Sequence, residues 1–204
     1  MKRKYLFPLI LVSTFLLLGA YVRRGQTPLI NAQEDIFVYL PIMLGGASSS
    51  TIPNGDFEAG RTIWTESSQW SNILIVMDQN LPPGIAPHNG DWAAWLGGDN
   101  DELAAIEQRV LISSAAPYLA FWHWLDWPFA CQGASGAEAQ IVVNQTTVYQ
   151  TDVCEDTDTG GWVQQTVDLG TFAGQTVDLR LQMTTESNSF ANWYLDDITL
   201  QTAP

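Results

Sequence analysis

Beyond Lys4 the chain has no lysine, and beyond Arg24 its only arginines are Arg61, Arg109 and Arg180. All 22 carboxylates lie at Glu34 or later, so residues 25–204 carry a formal charge of −19. A surface this short of cations cannot neutralise phosphates, which excludes nucleic acid as a partner. It also repels anionic lipid. Histidine and cysteine are scarce: His88, His123, Cys131 and Cys154 are all there are. Neither histidine stands at ligand spacing from the cysteines, so a zinc site of the finger type is not expected. The P-loop, the dinucleotide-binding glycine fingerprint, HExxH and the nucleophile elbow are missing. No pair of carboxylates stands out as a glycosidase acid and base. No catalytic residue is therefore assigned, and a non-enzymatic protein is expected.

What is present begins with a leader. Met1-Lys2-Arg3-Lys4 precedes the apolar stretch Tyr5–Tyr21. This is the charged start and apolar centre of a secretory signal, with Ala20 as the candidate cleavage residue. The stretch of 17 residues is also close to the lower limit for a membrane span, and Arg23-Arg24 directly behind it suit an uncleaved anchor. Residues 1–24 are thus read as a signal peptide or a membrane anchor. Either way the remainder is expected outside the cytoplasm, secreted or held at the cell surface. Residues 25–51 read as a linker, interrupted by the apolar run 36–44, which is too short to span a bilayer. In an oxidising compartment Cys131 and Cys154 read as a disulfide. Closing that loop is worth about 3 kcal/mol in the chain-entropy model.

From residue 52 onward the pattern is strands and turns. Gly, Asn, Asp and Pro punctuate short segments, and no stretch shows a 3.6-residue period. Strands are expected at 62–66, 70–77, 91–97, 104–112, 117–127, 137–143, 146–151, 161–168, 176–184 and 191–201. In the ninth, Val177, Leu179, Leu181 and Met183 alternate with Thr176, Asp178, Arg180 and Gln182, the mark of a half-buried antiparallel strand. In the last, Leu195 and Asp197 fall on one face, and Tyr194, Asp196 and Ile198 on the other. Ten short strands predict an all-β, two-sheet antiparallel sandwich of jelly-roll type over residues 52–202. Acidic motifs stand at its two ends, Asn54-Gly55-Asp56-Phe57-Glu58 and Trp193–Leu200 with Asp196-Asp197. They suggest first and last segments side by side, pinned by a hard cation such as calcium. The acidic runs Asp99–Glu102 and 156–160 do not fit an EF-hand and are expected to be solvated turns.

The order IPNGDFE, HNGDWAAWLGG, AAIEQRVLI, PYLAFWHWL, GWVQQTVDLGTFAGQTVDLRLQM and NWYLDDITL resembles the galactose-binding-like jelly rolls. Carbohydrate-binding modules and MAM-type adhesion domains are the nearest in kind, and the resemblance spans roughly residues 52–202. It implies a non-catalytic module that binds a polysaccharide or glycan, or alternatively a cell-surface protein. It also implies a structural calcium held by Glu58 with Asp196 and Asp197, Asp56 lying in the same motif.

Nine tryptophans are many for this length. If 118–127 alternates as a strand, Leu119, Phe121, His123 and Leu125 point one way and Tyr118, Ala120, Trp122 and Trp124 the other. An indole offers a flat apolar plate with a polar N–H, suited to the apolar face of a sugar ring. Trp122, Trp124 and Trp127 are the candidate ligand platforms, with His123 and Asp126 as candidate hydrogen-bonding partners. Core packing is the competing account of these rings. Trp92 and Trp95, which bracket Ala93-Ala94, read as core.

Overall fold

The computed structural model describes residues 51–131 and 136–204. The leader and the linker up to residue 50, including the apolar run 36–44, lie outside the described residues. Ten strands follow in chain order: β1 Thr65–Ser68, β2 Ile75–Met77, β3 Trp92–Gly97, β4 Leu103–Leu111, β5 Tyr118–Asp126, β6 Ala137–Val143, β7 Thr146–Asp152, β8 Val163–Asp168, β9 Thr176–Thr185 and β10 Asn192–Gln201. They form two antiparallel five-stranded sheets, ordered β1-β4-β9-β6-β7 and β2-β3-β10-β5-β8. The expected all-β sandwich is the fold observed. The first two strands are shorter than their apolar residues suggested, because Trp70 and Ile73 are each 54% exposed on the loop between them.

The alternation read from the sequence builds the core. On β9, Val177, Leu179, Leu181 and Met183 are buried between the sheets, while Thr176, Asp178, Arg180 and Gln182 face outward. Leu181 stands opposite Ile106 on one side and Ile141 on the other, so one row of three branched side chains crosses the first sheet. From the second sheet Leu119, Phe121, Leu125, Trp193 and Leu195 meet them. Each such side chain contributes about 1.5–3 kcal/mol by leaving water. Glu66 laces the open edge of the sandwich: its Oε2 accepts the Leu74 and Ile75 amides at 2.7 and 3.1 Å, and its Oε1 meets Arg61.

The two ends of the domain do lie side by side. The turn of the opening motif abuts β10, where the Ile198 amide donates to the Gly55 carbonyl at 2.7 Å. A Cβ on Gly55 would sit 2.0 Å from the Ile198 carbonyl oxygen, so only glycine allows this approach. At the contact β10 is irregular. Its register against β5 shifts between Asp196 and Thr199, and Asp197 takes φ +47°. The bulge resets the alternation. Ile198 consequently enters the inter-sheet core with Leu195, rather than sharing a face with Tyr194 as strict alternation predicted. The expected disulfide is present between Cys131 and Cys154, whose Cα atoms are 5.1 Å apart. It ties the segment after β5 to the segment after β7.

Candidate functional site

The outer face of the second sheet carries aromatic rings where a solvated sheet would carry polar groups. Trp95 on β3, Tyr194 on β10 and Trp124 on β5 stand directly opposite one another across three strands. Centroid separations are 6.0 Å for Trp95–Tyr194 and 6.2 Å for Trp124–Tyr194. Trp162, just before β8, continues the row edge-on to Trp124 at 6.4 Å. Tyr194 is fully buried, and the two indoles flanking it are half-buried. The next row towards the start of β10 is polar. The Trp95 indole N–H donates to Asn192 Oδ1 at 2.8 Å, and Asn192 Nδ2 reaches Asp126 at 3.4 Å. Beyond Trp95 a hollow of about 240 Å³ opens, lined also by Asn72, Ile73 and Asp99.

On the other side of the aromatic row the loop 78–91 lies over the sheet. Leu81 packs with Tyr194, Val76 and Ala93, and Ile85 packs against the same cluster. The Trp162 indole N–H donates to the Ala86 carbonyl at 2.9 Å. His88 stacks on Trp122 with centroids 3.9 Å apart and planes 15° from parallel. The loop is held by carboxylates. Asp196 accepts the Asn89 and Asp197 amides, Glu58 Oε1 accepts those of Asp91 and Trp92, and Asp197 meets His88 Nδ1 at 2.7 Å. Gly90 is required there, since at φ +64° a Cβ would fall 2.3 Å from the Glu58 carboxyl. Burial, with a smaller push from the Asp197 charge, takes the Asp196 carboxyl up to about 7, against the backbone amides of Asn89, Asp197 and His88 that favour its charged form.

These contacts sort the residues singled out in the sequence. Trp124 and Asp126 share the outer face with the aromatic row. Trp122 is on that face as well, but His88 covers its plate. His123 is a correction: it is 3% exposed, points into the inter-sheet core and accepts the Trp193 indole N–H at 3.2 Å. Burial lowers its pKa to about 4, so it is a neutral core histidine and not a partner for a ligand hydroxyl. Trp127 follows the inward parity of Leu125, packs on the main core and faces Phe129 at 4.7 Å, away from the row. Trp95, read as core, belongs to the outer row, whereas Trp92 does pack inward. Tyr194, Asn192 and Trp162 were not singled out. Their signal was the parity of the closing motif once its partners in β3 and β5 are known.

The four carboxylates considered for calcium are divided by the loop. Glu58 and Asp196 act as amide acceptors. Asp56 and Asp197 line a hollow of about 390 Å³ with Thr51, Ile52, Asn54, Thr199 and Leu200. Among the described residues no three His, Cys, Asp or Glu side chains converge as a metal site. The donor set therefore fits calcium in part: an ion at Asp56 and Asp197 would draw its remaining oxygens from carbonyls and water. Of the acidic runs expected to be solvated turns, 99–102 departs from that reading. Glu102 is 2% exposed, and its Oε1 accepts the Gln69 amide. In the other, Asp158 caps its turn through the Trp127 and Gly160 amides.

No family model matches this chain. No curated protein matches it either. Solved structures do. The carbohydrate-binding module TmCBM61, solved in complex with beta-1,4-galactotriose, is similar over 76% of this chain and 100% of its own, at 14% identity and a TM-score of 0.57. The K3 cleaved adhesin domain of Lys-gingipain from Porphyromonas gingivalis aligns over 75% of this chain and 99% of its own, at 16% identity and a TM-score of 0.52. At these identities the likeness is one of fold.

Proposed function

We propose that this domain is a non-catalytic extracellular module that binds a glycan on the outer face of its second sheet. The observation that carries the reading is the row Trp95–Tyr194–Trp124 bordered by Asn192 and Asp126. Half-buried indoles supply plates for a sugar ring, and the amide and carboxylate beside them supply acceptors and a donor for hydroxyls. In this reading the ligand lies two residues along β5 from Trp122, at Trp124, and Trp127 is outside the site. The fold shared with a module seen holding beta-1,4-galactotriose makes galactan the first probe. The experiment is a glycan and polysaccharide screen with the full chain in calcium. Binding that weakens when Trp124 or Trp95 becomes alanine, with the melting curve unchanged in shape, supports the reading. No binding to any plant, microbial or animal glycan overturns it.

A structural calcium belongs to the same proposal, at Asp56 and Asp197 beside the Gly55–Ile198 contact. An ion held there by the folded state alone raises the melting temperature by mass action. Chelation should therefore lower the melting temperature, and Asp197→Asn should abolish that response. An unchanged melting curve in chelator removes the ion and leaves the glycan reading standing.

A second reading is contact with a protein, as in adhesion. One observation favours it. Trp70, Ile73, Phe129 and Phe190, between 49% and 60% exposed, all stand on loops at the end of the sandwich where β10 begins. Exposed apolar groups gathered in this way are a feature of association surfaces. A negative glycan screen together with loss of partner binding on Phe190→Ser would favour it.

A further inference from the structure

Resting on the glycan reading, the charge around the aromatic row narrows the kind of sugar. Asp126 stands at the end of the row with Asn192 as its hydrogen-bond partner, at 3.4 Å. Burial and the neighbouring carboxylate of Asp158 raise its pKa, while Asn192 lowers it. Asp158 is itself fixed in place by the Trp127 and Gly160 amides at 3.2 and 2.7 Å. Among the described residues no cation stands on this face. Arg61 is held by Glu66 at the edge of the first sheet, and Arg109 and Arg180 lie on that sheet's outer face. His123 is turned into the core and His88 is engaged by Asp197. Next to Asp126, the Tyr194 hydroxyl is buried between the indoles with no hydrogen-bond partner. A row of flat π faces with an unsatisfied O–H thus ends at Asp126, whose charge is reinforced by Asp158, without a compensating cation.

We infer that the row takes a glycan bearing protonated primary amines, its ring against Trp124 or Trp95 and its ammonium set against Asp126 and Asp158. An indole face attracts a cation as well as a CH face, and the two carboxylates complete a charge-assisted pair. The same charge turns away uronic, sialylated and sulfated sugars.

The test is calorimetry of the full chain at pH 6 with four probes. They are a β-1,4-linked glucosamine trisaccharide, its fully N-acetylated counterpart, beta-1,4-galactotriose and a trigalacturonate. The expected result is about tenfold tighter binding of the free amine than of the acetylated sugar, with no binding of the uronate. The preference should shrink as salt rises. Asp126→Asn should reduce it to threefold or less, whereas Glu107→Gln on the other sheet should leave it intact. Equal affinity for amine and acetylated sugars overturns the inference, as does a preference that survives Asp126→Asn or falls equally with Glu107→Gln. If galactotriose binds without any amine preference, only this inference fails. If none of the four binds, this inference fails, and the glycan reading stands or falls separately with the full screen.

Discussion

On the first sheet the outward side chains form a chain of amides and charges that satisfy one another. Glu138 takes the Gln140 and Gln150 amides, Gln140 takes that of Gln182 at 2.7 Å, and Gln182 takes Arg180 at 2.8 Å. Arg180 then reaches Glu107 at 3.2 Å. On the second sheet the outward groups are rings, a hydroxyl without a partner and carboxylates without a cation. The inner faces of the two sheets are alike, both largely apolar, with His123 and Gln108 as buried polar exceptions. The difference outside is what the proposed glycan site rests on. A polar face that closes its own hydrogen bonds gains little by exchanging water for a ligand, whereas the aromatic face is left with surface and donors to satisfy.

That contrast can be broken or sharpened by substitution. The largest effect belongs to the shared interior: Phe121→Ala, which empties a fully buried ring site, should cost about 3–5 kcal/mol in urea unfolding. A loss below 1 kcal/mol would mean the sandwich is not packed as described. Next comes acid sensitivity from His123. Its folded pKa of about 4 lies below the usual value of 6.5. The unfolded chain therefore takes up a proton that the fold refuses, and stability falls as pH drops from about 6.5 towards 4. His123→Gln keeps an acceptor for Trp193 and should remove that loss, leaving the opposite drift that Asp196, raised to about 7, imposes over the same window. A smaller effect, on affinity, separates the aromatic row from its neighbour: Trp124→Ala should weaken glycan binding about tenfold, or about 1.4 kcal/mol, with Trp127→Ala leaving it unchanged. If the two variants behave alike, the row is not the site. The smallest belongs to the first sheet's outer face. Arg180→Gln breaks a half-exposed pair and should change stability by less than about 1 kcal/mol without altering glycan affinity.

Much of the fold was legible because burial on one side of a sheet forces a period of two. The alternations in 119–125 and 176–183 gave their inward faces correctly. The ends were legible as neighbours from their paired acidic motifs, although the contact that joins them is the backbone bond from Ile198 to Gly55. What could not be read is what depends on distant partners. The plate of Trp122 is covered by His88, which is 34 positions earlier in the chain. Asp197 in the left-handed region shifts the parity of β10, and nothing in Asp-Asp-Ile announces it. His123 and Trp124 are adjacent and equally suited to a sugar, yet the pleat sends one into the core and the other out. Trp95 looked like core because small alanines surround it. Of those alanines only Ala93 lies beside the rings of the outer face; Ala94 belongs to the inter-sheet core.

The contact between Gly55 and Ile198 has a mechanical side. Thr51 and Leu200 border the same hollow, so tension applied between the two ends of the domain falls on this clasp together with the last β10–β5 pairs, Thr199 to Gln201. The load path is short and stays at one end of β10. The aromatic row lies nearer the other end of β10, about 13 Å away along the strand. A domain stretched between its ends is therefore loaded first at this end of β10, while the rings stay in register.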